Sequence, residues 1–126
     1  MEEKKTRVAL FGRFYSEGGE SIQSQKDKLR QEAKNRNYEI VDEFWEEELP
    51  FQSPLEERSE MKRFITSVWT NALDIDGLFL TDYENLSLVS RKEHVTLMVF
   101  FEQNNIAVIT LNEIYNPNDW MAGLSF

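Results

Sequence analysis

Leu10–Gln25 reads LFGRFYSEGGESIQSQ. An apolar run closes on Gly12, then Arg13, Phe14, Tyr15 and Ser16 follow, and Gly18 and Gly19 lead into a helical pattern opened by Ser21. A loop between a first strand and a first helix is where α/β proteins hold phosphate or place a nucleophile. A Walker A loop would end in Lys and Ser or Thr, but Gly18 is followed by Gly19 and Glu20. The dinucleotide spacing G-x-G-x-x-G is also absent. Two glycines in a connecting loop need no more than a tight path into the helix. They leave unexplained an arginine at the end of a buried strand.

Outward from this stretch the chain alternates. RVALFG reads as a buried strand, and SIQSQKDKLRQEAKNRN as a helix with Ser21 as N-cap and Ile22, Leu29 and Ala33 on one face. YEIVDEFW alternates as a second strand, and EEELPFQSPLEER reads as a loop. MKRFITSVWTNAL places Met61, Phe64, Ile65, Val68, Trp69, Ala72 and Leu73 at helical spacing. DGLFLT and IAVITL read as strands on either side of a third helix, SRKEHVTLMVFFEQNN, capped by Ser90. The order predicts an α/β domain, residues 1–126, with a mostly parallel sheet of four or five strands and helices on both faces.

Composition narrows the chemistry. The chain has 126 residues, no cysteine and one histidine, His94, so cysteine-bound zinc, thiol nucleophiles and multi-histidine metal sites are excluded. His94 falls in the first turn of the third helix and reads as a surface or partly buried helix residue rather than a catalytic base. The net charge of −9 disfavours nucleic acid, whose affinity comes largely from Lys and Arg neutralising phosphates. No apolar stretch approaches the roughly 20 residues of a membrane helix, and the N-terminus lacks a signal-peptide pattern. A cytoplasmic protein with no cofactor and no metal is expected. Glu46–Glu48 with Asp42 or Asp76 offer carboxylates that suit magnesium, but such runs usually form a solvated face. Phe64, Trp69, Phe79, Phe100 and Phe101 sit at core spacings. In the aperiodic tail, Trp120, Met121, Leu124 and Phe126 either fold back or dock on a partner.

The order and spacing of these segments resemble the catalytic domain of the serine recombinases, the resolvase and invertase family, over nearly the whole chain. In that family the first strand ends in a pattern like Y-x-R-V-S, whose arginine binds the scissile phosphate and whose serine attacks it. The resemblance places Arg13 on that arginine and Gln25 on a glutamine of the first helix. LEERSEMKRFI places Arg58 on a second phosphate-binding arginine, and DIDGLFLTDYENLSLVSR matches the third strand and its D-R-L-S-R loop. The resemblance implies a resolvase-like three-layer sandwich.

The departures bear on activity. In register the serine position holds Tyr15, with Ser16 one residue late; the arginine loop reads Glu84, Asn85, Leu86, Ser87, Leu88, so both its arginines are missing. Adjacent side chains at a strand end point in different directions, and reaction geometry is sensitive at about the 1 Å scale, so Ser16 is a poor substitute. A phenol at Tyr15 is longer and needs its own activating cations. Losing one preorganised donor typically costs about 10²–10³ in rate. The family also continues into a dimer-forming helix and a DNA-binding domain beyond the position of Phe126.

The expectation is a catalytically inactive, recombinase-derived domain that binds another protein or a second copy of itself, with DNA contact weak at most. The alternatives are a diverged site-specific serine recombinase, or an acidic decoy of a DNA-binding protein. Arg13, Gln25 and Arg58 then form either a vestigial anion site or structural ion pairs with Glu46, Glu47 or Glu84. The acidity of the chain favours the ion pairs.

Overall fold

A computed structural model describes residues 5–15, 20–49, 57–86 and 91–116, without the side chains of residues 15, 47–49 and 84. The element order is β1 (Arg7–Tyr15), α1 (Ile22–Asn35), β2 (Glu39–Leu49), α2 (Ser59–Trp69), β3 (Gly77–Phe79), a 3-10 turn (Tyr83–Leu86), α3 (Arg91–Gln103), β4 (Ala107–Ile109) and β5 (Ile114–Tyr115). The strands form one sheet in the order β2-β1-β3-β4-β5. The pairings among β1 to β4 are parallel, and only β5 runs antiparallel, on the edge beside β4.

The two faces follow from strand alternation. Val8 and Leu10 of β1 pack with Leu29 and Ala33 of α1 and with Phe79 and Ile109. Ala9 and Phe11 face the other way, into the larger core with Phe44, Met61, Phe64, Val68, Leu97, Met98 and Phe101 from β2, α2 and α3. Helices therefore cover both faces, as the sequence pattern predicts.

The helix ends share one device. Asn37, Asn71 and Asn105 each stand two residues past the end of α1, α2 and α3, with φ of 60°, 63° and 53°. Asparagine tolerates this left-handed conformation better than most residues. At α1 the Tyr38 N–H donates to Ala33 O (2.8 Å) and the Asn37 N–H to Lys34 O (3.2 Å). At α3 the Ile106 N–H donates to Phe101 O (2.9 Å) and the Asn105 N–H to Glu102 O (3.1 Å). These are paired Schellman-type bonds, and each turns the chain directly into the next strand. At the start of α1, the Ser21 hydroxyl accepts from the Ser24 N–H at 3.1 Å, as expected for its cap.

Some expectations change. β2 does not stop at Trp45 but runs to Leu49, through carboxylates read as loop. Its inward row continues from Phe44 to Glu46, which finds polar partners inside. Trp69, expected in the core, is 79% exposed, and Ala72 is exposed. The buried stripe of α2 is Met61, Phe64 and Val68, and Trp69 is its last residue, rotated off that face. Phe100 is half-buried, while Phe64, Phe79 and Phe101 are fully buried. Ser90 and the tail from Pro117 lie outside the described residues.

Candidate functional site

Arg13 continues the row of Ala9 and Phe11 along β1, so alternation carries its side chain to the α2 face at the carboxyl end of the strand. Its guanidinium is buried there, as is that of Arg58, which occupies the N-cap position of α2. Between them lies the carboxylate of Glu46. Glu46 Oε2 accepts from Arg58 Nε at 2.8 Å and stands 3.9 Å from Arg13 Nε. The first is a charge-assisted hydrogen bond, and the second is an ion pair too long to be one.

Glu46 also completes a helix end. Its other oxygen, Oε1, accepts from the Met61 N–H at 2.9 Å. Met61 is the third residue of α2, and the N-cap side chain of Arg58 makes no capping bond. The opening turn of a helix leaves N–H groups to be satisfied, and its positive dipole end favours a carboxylate. One buried acid thus anchors α2 to β2 and gathers the arginines. Arg58 adds a bond from Nη2 to Asn85 O (2.9 Å) and lies over the Phe11 ring, 5.8 Å from its centroid.

Gln25 performs a different task. Its Oε1 accepts from the Arg13 N–H (3.1 Å), and its Nε2 donates to Arg13 O (2.7 Å) and to Glu20 O (2.8 Å). The carboxamide reads the peptide of Arg13 as a neighbouring strand would, and so fixes where β1 ends. The close approach depends on Gly12. A Cβ there would fall 2.4 Å from the Trp45 ring and 2.7 Å from Gln25 Oε1.

The 3-10 turn closes the site. Asn85 is buried, and its Nδ2 donates to Gln25 Oε1 and to Thr81 Oγ1, both at 3.3 Å. On the far side of the same turn, the Tyr83 hydroxyl lies 3.3 Å from His94 Nε2 and 3.1 Å from Met98 Sδ. The Tyr83 ring packs 5.0 Å from that of Tyr115. Burial raises the Tyr83 pKa, with a smaller contribution from Tyr115, so the phenol stays protonated. Burial also lowers the His94 pKa, which keeps the imidazole neutral near pH 7.

The structure therefore brings Arg13, Gln25, Arg58 and Asn85 to one place, with Glu46 among them. It does not leave Glu46 in a solvated acidic loop, and no group of carboxylates or histidines among the described residues has metal-binding geometry. Tyr15 is the last residue of β1, paired with Leu49; the β1–β2 register shifts between Arg13 and Tyr15. Glu84 belongs to the 3-10 turn. Ser16, Leu88 and the side chains of Tyr15, Glu47 and Glu84 lie outside the described residues.

A mostly parallel sheet with helices on both faces, and buried arginines gathered at the carboxyl end of its first strand, make this an α/β domain. The family model described as the resolvase N-terminal domain matches residues 8–125, and the chain belongs to that family. Among solved structures it is similar to the N-terminal catalytic domain of TP901-1 integrase. The identity is 26%, the TM-score is 0.68, and 94% of this chain and 87% of that chain are covered. It also shares its fold with the C-terminal catalytic domain of ISC1926 TnpA, an IS607-like serine recombinase. There the identity is 14% and the TM-score 0.63, over 83% of this chain and 67% of that one. No curated protein matches.

Proposed function

We propose that this is a recombinase-family domain that keeps the scaffold without strand cleavage and acts by binding another protein. The observation that carries the reading is the burial of both retained arginines: the side chains of Arg13 and Arg58 have no exposed surface. Serine attack on a phosphodiester builds negative charge that cations already aimed at the phosphate must stabilise. A guanidinium enclosed with a carboxylate has its favourable charge contact inside the domain, and reaching a DNA phosphate would require breaking it. Asn85, where the family has an arginine, offers a neutral donor in place of a bidentate cation.

The protein-binding half of the reading draws on the other end of α2. Trp69 is 79% exposed beside a groove of about 600 Å³ between α2 and α3, lined by Ile65, Val95, Val99 and Phe100 among others. An exposed tryptophan beside an apolar groove is a common feature of contact surfaces.

The test is incubation with supercoiled DNA, scored for nicks and for covalent protein–DNA adducts. Neither is expected. An adduct that disappears in Ser16→Ala or Tyr15→Phe would refute the reading.

A second reading, a diverged strand transferase, is favoured by the likeness to the TP901-1 integrase catalytic domain over most of the chain. It requires DNA binding that weakens with salt and is lost in the Arg13→Ala/Arg58→Ala double variant. Absence of DNA binding at low salt counts against it.

A further inference from the structure

We infer that Tyr83 is a positioning residue for the arginine site, through which α3 determines where Arg58 sits. The inference concerns how the buried Arg13–Glu46–Arg58 cluster is held, and it does not depend on whether the domain cleaves DNA. The contacts form a continuous path. On α3, His94 Nε2 and Met98 Sδ both lie against the Tyr83 hydroxyl, at 3.3 and 3.1 Å. Tyr83 opens the 3-10 turn, whose buried Asn85 is tied back by its N–H to Asp82 O at 3.0 Å. The Asn85 carbonyl accepts from Arg58 Nη2 at 2.9 Å, and Arg58 Nε reaches Glu46 at 2.8 Å.

A 3-10 turn four residues long has poorer hydrogen-bond geometry than an α-helix and little stability of its own. Its placement must come from what its side chains grip. Leu86 is fully buried and supplies the apolar grip. Asn85 is held directionally toward α1 and the end of β3 by its bonds to Gln25 and Thr81, and Tyr83 supplies the directional grip on α3, because a hydroxyl held between an imidazole and a thioether fixes the ring along its length as well as its plane. The Tyr115 and His94 rings, with centroids at 5.0 and 5.9 Å, confine it from the sides. With the hydroxyl removed, the ring still packs, but the turn loses its register against α3. The Asn85 carbonyl is the atom through which that loss reaches Arg58.

The test is Tyr83→Phe, which preserves the ring. Arginine Nε–H groups held by a carboxylate exchange slowly with water and are visible by NMR. The Arg58 Nε–H in Tyr83→Phe is expected to exchange at least about tenfold faster than in the wild type and to shift, a change of about 1.4 kcal/mol in the opening that exposes it. Ile106→Val is the control. It loses a buried methyl group between α3 and β4 and destabilises the domain generally, without moving the Arg58 signal. Met98→Leu, which removes one partner of the hydroxyl and keeps the packing, is expected to give a smaller change in the same direction. An Arg58 Nε–H unchanged in both Tyr83→Phe and Met98→Leu overturns the inference. So does one that moves equally in Ile106→Val. These signals report how Arg58 is held and not cleavage, so the inference can fail while strand cleavage stays absent, and it can hold even if an adduct is found.

Discussion

At the residue scale, Glu46 is the hinge of the account. It sits among Arg13, Arg58 and the opening turn of α2, and removing its charge leaves guanidiniums and a helix N-terminus facing an uncharged group. Breaking a buried ion pair by deleting one partner costs about 3–5 kcal/mol. Glu46→Gln retains the shape and some of the hydrogen bonding, so a loss at the lower end of that range is expected in urea unfolding. A loss below about 0.5 kcal/mol, the range of ordinary surface substitutions, would show that the carboxylate does not hold the pair. Gly12→Ala is the steric counterpart. The Cβ would press against the Trp45 ring at 2.4 Å. Overpacking of this kind costs about 1–3 kcal/mol, and a variant as stable as the wild type would mean that Trp45 yields freely.

At the element scale, periodic apolar spacing identified the helices and strands because each buries one face or both. It failed where the chain offers no phase. Glu46, Glu47 and Glu48 are identical neighbours, so nothing in their order says which turns inward, and β2 looked finished at Trp45. β5 has two residues, too few for a period. Trp69 matched the helical spacing of α2 but falls on its flank, a distinction of one helical position. That Arg13 and Gln25 would meet was legible only through resemblance; that Gln25 pairs with the Arg13 backbone rather than with a ligand was not legible at all.

The packing of α3 against the 3-10 turn gives a prediction at the same scale. Burial holds the His94 pKa below the ordinary histidine value of about 6.5. The unfolded chain therefore binds more protons than the folded one once the pH falls below that value, and stability declines with falling pH between the unfolded and folded pKa values. The melting temperature should drop between pH 7.5 and 5.5, with a shallower slope in His94→Gln. Equal slopes for the two proteins would place the titration elsewhere.

At the scale of the whole molecule, the charge and the fold pull apart. The fold is that of the resolvase N-terminal domain, and the chain carries 23 acidic residues against 14 basic ones. A net negative charge works on average against binding DNA, within a screening length of about 10 Å at 0.1 M salt. The retained arginines are inside, with an acid between them. On this account the carboxyl end of the sheet is a structural knot that joins β1, β2, α2 and the 3-10 turn, and the partner is met elsewhere. The most direct measurement is a titration with inorganic phosphate, following the Arg13 and Arg58 Nε–H signals by NMR. The account predicts that neither signal moves in a saturable way at millimolar phosphate. Saturable shifts at both arginines, abolished together in Arg13→Ala, would contradict it and return the pair to the role of a phosphate site.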